Sequence, residues 1–267
     1  MKSYKEQYAQ NGYLSPVQII NGHQAALGRT ALEEAESVFG ALHYRFKIHT
    51  LLESAFQLAT HSRILDVVEQ LIGPDILLYS SAYIIKEPNT RAHVSWHQDM
   101  TYWGLRSDAQ ISAWLALSPA TEQSGCMKML PGSHLKGCIK HSLIKDEDNV
   151  LLNSQAVTGL DEKNARYIPL APGEASFHHG WTLHASTPNQ SEDRRIGLNI
   201  QYIATDNRQT LIDDDTALLV RGVDDYHHFN PDIIASRDGQ AEALAQQEIM
   251  QQRFSTIYKK ALACQQT

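Results

Sequence analysis

The chain has 267 residues, of which 42% are hydrophobic and 20% charged, which is enough for one large domain with a full core. Its formal net charge of −7 argues against nucleic acid or an anionic membrane as the main partner. The run Met1–Gln7 lacks an apolar signal core, and no stretch approaches the roughly 20 apolar residues that span a bilayer. The three cysteines form no CxxC pair, a sparse use typical of a reducing compartment. We therefore expect a cytoplasmic protein.

The first part of the chain, about residues 1–75, is predicted to be helical. Residues 3–40 have mainly helical character. A further helix is expected to begin near Thr60–Ser62 and to end at Gly73, because apolar residues recur at helical spacing from Ile64 to Ile72 and Pro74 follows.

From Ile76 onward, short apolar or alternating runs separated by turn residues predict β-strands. The predicted strands are residues 76–85, 111–117, 126–130, 174–178 and 196–203. Many short strands after a helical start favour a sandwich or jelly roll with helices packed outside. We expect this core to span about residues 76–205 of a single domain over residues 1–267.

Two segments of the second half lack the strand pattern. Residues 137–166 are polar and irregular, which predicts a long loop or mobile lid beside the barrel mouth. Residues 238–263 regain helical character within a C-terminal helical extension of about residues 206–267.

The most informative pattern is the pair His97 and Asp99. One residue separates them, so an extended chain places both side chains on one face. His184 lies far downstream in a strand-like stretch with His178 and His179. Two histidines and one carboxylate suit non-heme Fe(II) oxygenases and leave other metal positions open. The alternative is that the three downstream histidines are satisfied core residues; we interpret His178 in that way and His179 as support for the ligands.

Arg195 opens the predicted strand that follows these histidines. A cation at the start of a buried strand needs an anionic partner, and guanidinium suits bidentate carboxylate recognition. Two partners remain open: an internal salt bridge, or a carboxylate cosubstrate held beside the metal. The sequence contains no GxSxG, HExxH or P-loop motif, and no GxGxxG after a strand, which would indicate other chemistries.

Together these residues resemble the phytanoyl-CoA dioxygenase family of Fe(II)- and 2-oxoglutarate-dependent oxygenases. The resemblance covers most of the chain and rests on the joint spacing of four motifs. They are Tyr8-Ala9-Gln10-Asn11-Gly12-Tyr13, Trp96-His97-Gln98-Asp99, the hairpin from Ser124 to His134, and His184-Ala185-Ser186 followed by Arg195.

The resemblance implies a double-stranded β-helix, a jelly-roll or cupin-like fold that is mainly β with flanking helices. It implies that His97, Asp99 and His184 hold the catalytic Fe(II), where O₂ also binds. Arg195, helped by Ser186, would hold the far carboxylate of 2-oxoglutarate. Further positions that match the family's cosubstrate pocket are Lys47, Gln98 and Trp114; for Trp114 the alternative is a core aromatic residue.

Residues near His97 and Asp99 are expected to face the substrate. They are His93, Met100, Tyr102, Trp103 and Arg106. This mixture of aromatic, polar and cationic side chains suggests a small or medium-sized polar molecule. Arg106 is either a contact for an anionic group or a solvated loop charge. Amino acids, phosphonates and secondary-metabolite intermediates are the candidates.

The implied reaction is hydroxylation with release of succinate and CO₂. Asp99 favours it, because halogenases of this family replace that carboxylate with a small residue and so free a position for halide. Two alternatives stay open. A metal-dependent jelly-roll enzyme that does not use 2-oxoglutarate should pair Arg195 with a protein carboxylate. A binding protein could retain the fold without turnover.

Overall fold

The computed structural model describes residues 2–144, 146–151, 155–235 and 241–266. The helices in this part of the chain are α1 (Tyr4–Asn11), α2 (Gly22–Phe39), α3 (Glu53–Ala59), α4 (Ser62–Ile72) and α5 (Ala241–Gln266). The strands are β1 (Tyr13–Gln18), β2 (Ile76–Lys86), β3 (Val94–His97), β4 (Gln110–Ala116), β5 (Met127–Met129), β6 (Ser142–Leu143), β7 (Gln155–Ala156), β8 (Arg166–Ile168), β9 (Glu174–His179), β10 (His184–Ser186), β11 (Arg195–Ala204), β12 (Thr216–Arg221) and β13 (Asn230–Pro231). None of these helices is both long enough and apolar enough to cross a bilayer.

Two sheets form the predicted double-stranded β-helix. The larger has the strand order β1-β9-β4-β11-β2-β12-β13, and the smaller has the order β3-β10-β5-β8. Side chains from both sheets line one cavity, so the cavity lies between them. The fold class predicted from the sequence is confirmed.

Alternation along β11 decides which side chains face that cavity. Ile196, Leu198 and Ile200 pack into the main apolar core together with residues of α2, α3 and α4. The intervening residues Arg195 and Asn199 line the cavity on the other face. Because side chains of a strand alternate with a period of two, the helices cover one face of the large sheet and the site occupies the other.

The predicted helix at residues 62–72 is α4, and Gly73 ends it with a φ of 97° that favours glycine. The five predicted strands are β2, β4, β5, β9 and β11, with ends shifted by at most one residue. The mainly helical prediction for residues 3–40 missed β1, which forms an edge of the large sheet. This strand contains Pro16, which an edge strand tolerates.

The C-terminal extension is not purely helical, which corrects the prediction for residues 206–267. Strand β12 pairs antiparallel with β2 and continues the large sheet. Helical structure returns only with α5.

The described part of the segment 137–166, which excludes residues 145 and 152–154, packs along β3. The Val157 amide donates to the Trp96 carbonyl at 2.8 Å, and the Asn149 side-chain oxygen accepts from the Ser95 amide at 3.2 Å. Leu151 lines the cavity. The segment thus contributes Leu151 to the lining of the cavity; its role as a mobile lid stays a prediction.

Candidate active site

His97, Asp99 and His184 lie close together in the lining of the cavity. Gln98 is extended (φ −123°, ψ 130°), so Asp99 shares a face with His97 although β3 has already ended. His184 is the cross-strand partner of His97. Oδ1 of Asp99 lies 3.4 Å from Nε2 of His97 and 3.6 Å from Nε2 of His184. The three ligand atoms all lie within 4.8 Å of one another, close enough to share one ion.

The hydrogen bonds around these side chains fit a metal centre. Nδ1 of His97 lies 2.9 Å from the Ser95 carbonyl, and Nδ1 of His184 lies 3.0 Å from the Thr182 carbonyl. A carbonyl can only accept, so each Nδ1 carries the proton and each Nε2 offers its lone pair to the centre. Ser112 Oγ donates to Oδ2 of Asp99 at 2.6 Å, which leaves Oδ1 for the ion.

The ionisation states also suit a divalent cation. Burial raises the pKa of Asp99, but the neighbouring histidines, His184 first, outweigh it and hold the pKa well below its usual range. Burial, followed by the charge of His97, holds the pKa of His184 well below its usual range. An anionic carboxylate beside a neutral imidazole is the state in which these groups bind a metal.

His178 and His179 exchange the roles that the sequence suggested. His178 is buried as predicted, yet its Nε2 lies 3.3 Å from Oδ2 of Asp99 and its ring centroid lies 4.5 Å from that of His184. His179 accepts from the Trp181 amide at 3.0 Å instead. Alternation along β9 explains the exchange, because adjacent side chains point to opposite faces.

Arg195 lines the same cavity and is only 1% exposed. Its Nη1 donates to the Gly125 carbonyl at 2.9 Å, and its guanidinium carbon lies 5.1 Å from the centre of the Trp114 ring. Nε and Nη2 have no hydrogen-bond partner among the described residues. Burial lowers the pKa of Arg195 to about 10, so it stays charged at neutral pH. Buried donors are rarely left unpaired, and two on one guanidinium fit a bound carboxylate.

Glycine is required beside this arginine. A Cβ on Gly197 would lie 2.0 Å from the Trp114 ring, so only a bare backbone lets the indole lie across β11. Gly125 has a φ of 73°, and its Cβ would meet the Thr187 carbonyl at 2.2 Å. The hairpin that resembles the family motif therefore serves to place the carbonyl that holds Arg195.

Lys86 is a second basic residue beside Arg195, and it was not predicted from the sequence. It is the cross-strand partner of Arg195, and its ammonium donates to Ser186 Oγ at 2.7 Å and to the Thr187 carbonyl. Burial, followed by the charge of Arg195, lowers the pKa of Lys86 to about 6. An anion bound near both would restore the charged form. Ser186 itself lines the cavity, as does Trp114.

Lys47 and Gln98, by contrast, are turned away from the cavity. The ammonium of Lys47 lies 2.7 Å from Oδ2 of Asp232 and 2.7 Å from the Thr216 carbonyl, in a buried ion pair. Gln98 donates to the carbonyls of Gly137 and Trp181. Because Gln98 lies between two residues that face the metal site, its side chain takes the opposite face. Neither residue lines the cavity, so a contact of either with the cosubstrate stays a prediction.

Of the five residues predicted to face the substrate, Tyr102 and Trp103 line the cavity and the other three do not. His93 lies 3.3 Å from Asp146. Met100 packs into an apolar cluster, and Arg106 is exposed. The cavity has a volume of about 420 Å³, and α5 supplies part of its wall through residues that the sequence analysis did not single out.

Tyr44 is a further lining residue that no pattern in the sequence indicated. Its backbone is left-handed, with φ 57°, which is uncommon for an aromatic residue. Burial, then the charge of Asp99, raises the pKa of Tyr44, so a neutral hydroxyl faces the cavity. Backbone outliers of this kind cluster at functional sites.

The comparisons with known proteins agree with this geometry. The family model described as Phytanoyl-CoA dioxygenase (PhyH) matches residues 24–197. A probable alpha-ketoglutarate-dependent hypophosphite dioxygenase of Stutzerimonas stutzeri is 29% identical over 59% of this chain and 56% of its own length. The peroxisomal phytanoyl-CoA dioxygenase of Homo sapiens is 30% identical over 57% of this chain and 46% of its own. The chain thus spans about half the length of these curated relatives.

Solved structures extend the similarity to nearly the whole chain. The apo structure of the non-heme monooxygenase ThoJ superposes with a TM-score of 0.85 at 30% identity, covering 98% of this chain and 99% of ThoJ. CytC3 with Fe(II) and alpha-ketoglutarate, at 22% identity, shares the fold with a TM-score of 0.65 over 87% of this chain and 91% of its own. The chain belongs to the phytanoyl-CoA dioxygenase family of Fe(II)- and 2-oxoglutarate-dependent oxygenases.

Proposed function

We propose that this chain is a dioxygenase that hydroxylates a small or medium-sized polar metabolite and consumes 2-oxoglutarate. Amino acids, phosphonates and secondary-metabolite intermediates are the candidate substrates. The observation that carries the proposal is Arg195, whose buried guanidinium keeps two unpaired donors in the same cavity as the three metal-type ligands.

The residues of the site fall into two groups with different roles. His97 Nε2, His184 Nε2 and Asp99 Oδ1 would hold Fe(II). Nε and Nη2 of Arg195 would hold the far carboxylate of 2-oxoglutarate, with Ser186 beside it. Iron with bound 2-oxoglutarate and O₂ supplies the oxidation, in which the substrate gains a hydroxyl and the cosubstrate becomes succinate and CO₂.

The remaining side chains orient these groups and limit water. Ser112 and His178 contact the Asp99 oxygen that faces away from the ion position, which fixes the carboxylate. Trp114 covers one face of Arg195 and keeps its donors dry. Charge-assisted hydrogen bonds are stronger in such a water-poor site.

The two alternative functions predict a different environment for Arg195. A metal-dependent enzyme without 2-oxoglutarate should pair this arginine with a protein carboxylate, and none of the described residues provides one. A binding protein without turnover would not need two open donors next to a complete ligand set.

The test is a substrate panel scored by succinate formation with Fe(II), 2-oxoglutarate and O₂. The panel holds free amino acids, aminoalkylphosphonates and, because one relative is named as a probable hypophosphite dioxygenase, hypophosphite. His184→Ala is the inactive control. Calorimetric titration of 2-oxoglutarate into the metal-loaded protein tests the cosubstrate directly, and no measurable binding would overturn the proposal.

A further inference from the structure

Helix α5 presents one face to the cavity. Its lining residues are Gln251, Phe254, Ser255, Tyr258 and Lys259. Their spacing of three, four, seven and eight residues from the first places them on a single helical face. The face therefore forms a continuous wall of the site.

Contacts on both sides hold this wall in place. Phe254 stacks on Phe46 with ring centroids 4.2 Å apart, and Tyr258 stacks on Tyr102 at 5.1 Å. Gln251 donates to the Phe46 carbonyl at 3.1 Å. One aromatic ring of each stack comes from α5, and the other comes from a connecting segment: Phe46 lies between α2 and α3, and Tyr102 follows β3.

The chemistry of the wall is aromatic with a single charge. Besides the two ring stacks, Trp103 faces the same space. Among the described lining residues other than histidines, the charged groups are Asp99, Arg195 and Lys259. If Asp99 holds the ion and Arg195 the cosubstrate, Lys259 is the charge that remains for a substrate.

Lys259 is placed to meet a ligand that enters from solvent. It is exposed although it lines the cavity, so it stands at the mouth. None of the described residues forms an ion pair with it. The adjacent Lys260 instead donates to the Leu211 carbonyl at 2.8 Å, outside the lining.

We propose that this face of α5 recognises the substrate, and that the substrate carries a flat apolar or aromatic body and an anionic group bound by Lys259. The proposal rests on the function proposed above, because it assigns Arg195 to the cosubstrate. The aromatic rings bind the apolar body of the substrate by stacking, and the Lys259 ammonium binds its carboxylate or phosphonate group.

The probes are 3-phenylpropanoate and 3-phenylpropanamide, which share shape and differ in charge. They are titrated into protein loaded with Mn(II) and saturating 2-oxoglutarate, and quenching of the cavity tryptophans reports binding. The acid should bind about tenfold more tightly than the amide, the effect of one charge-assisted hydrogen bond. Phenylphosphonate is the third probe and distinguishes phosphonate from carboxylate.

Lys259→Gln should remove the preference for the acid, whereas Lys260→Gln should retain it. Phe254→Leu should weaken the acid and the amide alike. Equal binding of both probes to the native protein, binding of neither, or an acid preference that survives in Lys259→Gln would overturn the proposal.

Calorimetric titration of 2-oxoglutarate separates this proposal from the function on which it rests. The Lys259→Gln variant should bind the cosubstrate as tightly as the native protein does. Weaker binding in that variant would assign Lys259 to the cosubstrate and refute its role toward the substrate. Failure of the native protein to bind 2-oxoglutarate would refute the proposed function instead.

Discussion

Replacing Arg195 by lysine keeps a positive charge but removes the planar fork of donors. In the structure Nη1 of Arg195 is used by the Gly125 carbonyl, and Nε and Nη2 are open. An incoming carboxylate can therefore form two charge-assisted hydrogen bonds with arginine. The single ammonium of lysine can replace at most one of them with comparable geometry.

The expected loss follows from that count. A hydrogen bond to a charged group contributes about 1.5–3 kcal/mol, and each 1.4 kcal/mol is about a factor of ten in affinity. Losing one bond should raise the dissociation constant of 2-oxoglutarate by about tenfold to a hundredfold. The affinity for the metal should not change, because Arg195 contacts none of the three ligands.

The assay is calorimetric titration of 2-oxoglutarate into Mn(II)-loaded protein. Arg194→Lys is the matched control, since the neighbouring arginine pairs with Glu36 at 2.8 Å and with Glu87 at 2.8 Å outside the cavity. An unchanged dissociation constant in Arg195→Lys would refute the reasoning. Lys86, the cross-strand partner of Arg195, would then be the candidate that binds the carboxylate of 2-oxoglutarate.

Three further predictions concern the ligands, the packing and the segment beside the cavity. Asp99→Ala should lose metal affinity and most hydroxylation, with halogenated product at best a trace, when products are analysed by mass spectrometry in chloride and in bromide; chlorinated product from the native protein would contradict the assignment of Asp99. Gly197→Ala should displace the Trp114 ring and weaken 2-oxoglutarate binding. The overpacking should cost about 1–3 kcal/mol of stability and lower the melting temperature by a few degrees. The control Gly22→Ala, which has open space at its Cβ, should change neither the melting temperature nor the binding. Limited proteolysis should cut residues 137–166 first, and substrate with 2-oxoglutarate should protect them; equal cleavage with and without ligands would show that the segment is not a lid.

The sequence predicted the pair His97 and Asp99 because the geometry of the pair is local, whereas the distant His184 was assigned through the family resemblance. Two residues separated by one share a face wherever the chain is extended, and Gln98 is extended although it lies outside the strand. The same rule turns the Gln98 side chain away from the cavity. The family resemblance placed Gln98 in the cosubstrate pocket. Alternation along an extended chain instead predicts that its side chain points away from the metal site.

The positions of the basic side chains could not be predicted from the sequence. Lys47 and Lys86 both follow aliphatic or aromatic residues, and neither context says where the ammonium will lie. Strand register decides it, since the pairing of β2 with β11 places Lys86 opposite Arg195. The sequence predicted both β2 and β11, but it did not indicate that these two strands pair.

The wall from α5 depends on tertiary packing in the same way. Its cavity face mixes an amide, a hydroxyl, two aromatic rings and an ammonium, so it has no apolar stripe that would indicate a buried side. The helix itself was predicted from the pattern of residues 238–263. Its position over the cavity depends on ring stacking with residues about 150 and 200 positions earlier.

The strand order of the large sheet affects how the chain can be shortened. A fragment reduced to residues 24–197, the range that the family model matches, would lose β1 from one edge, β12 with β13 from the other, and residues 198–204 of the central strand β11. Strands β9, β4 and β2 would then present rows of unpaired backbone N–H and C=O groups, which recruit strands from other molecules. The segments outside the matched range thus complete the large sheet that backs the site, and a fragment of this protein limited to that range should precipitate rather than fold as a monomer.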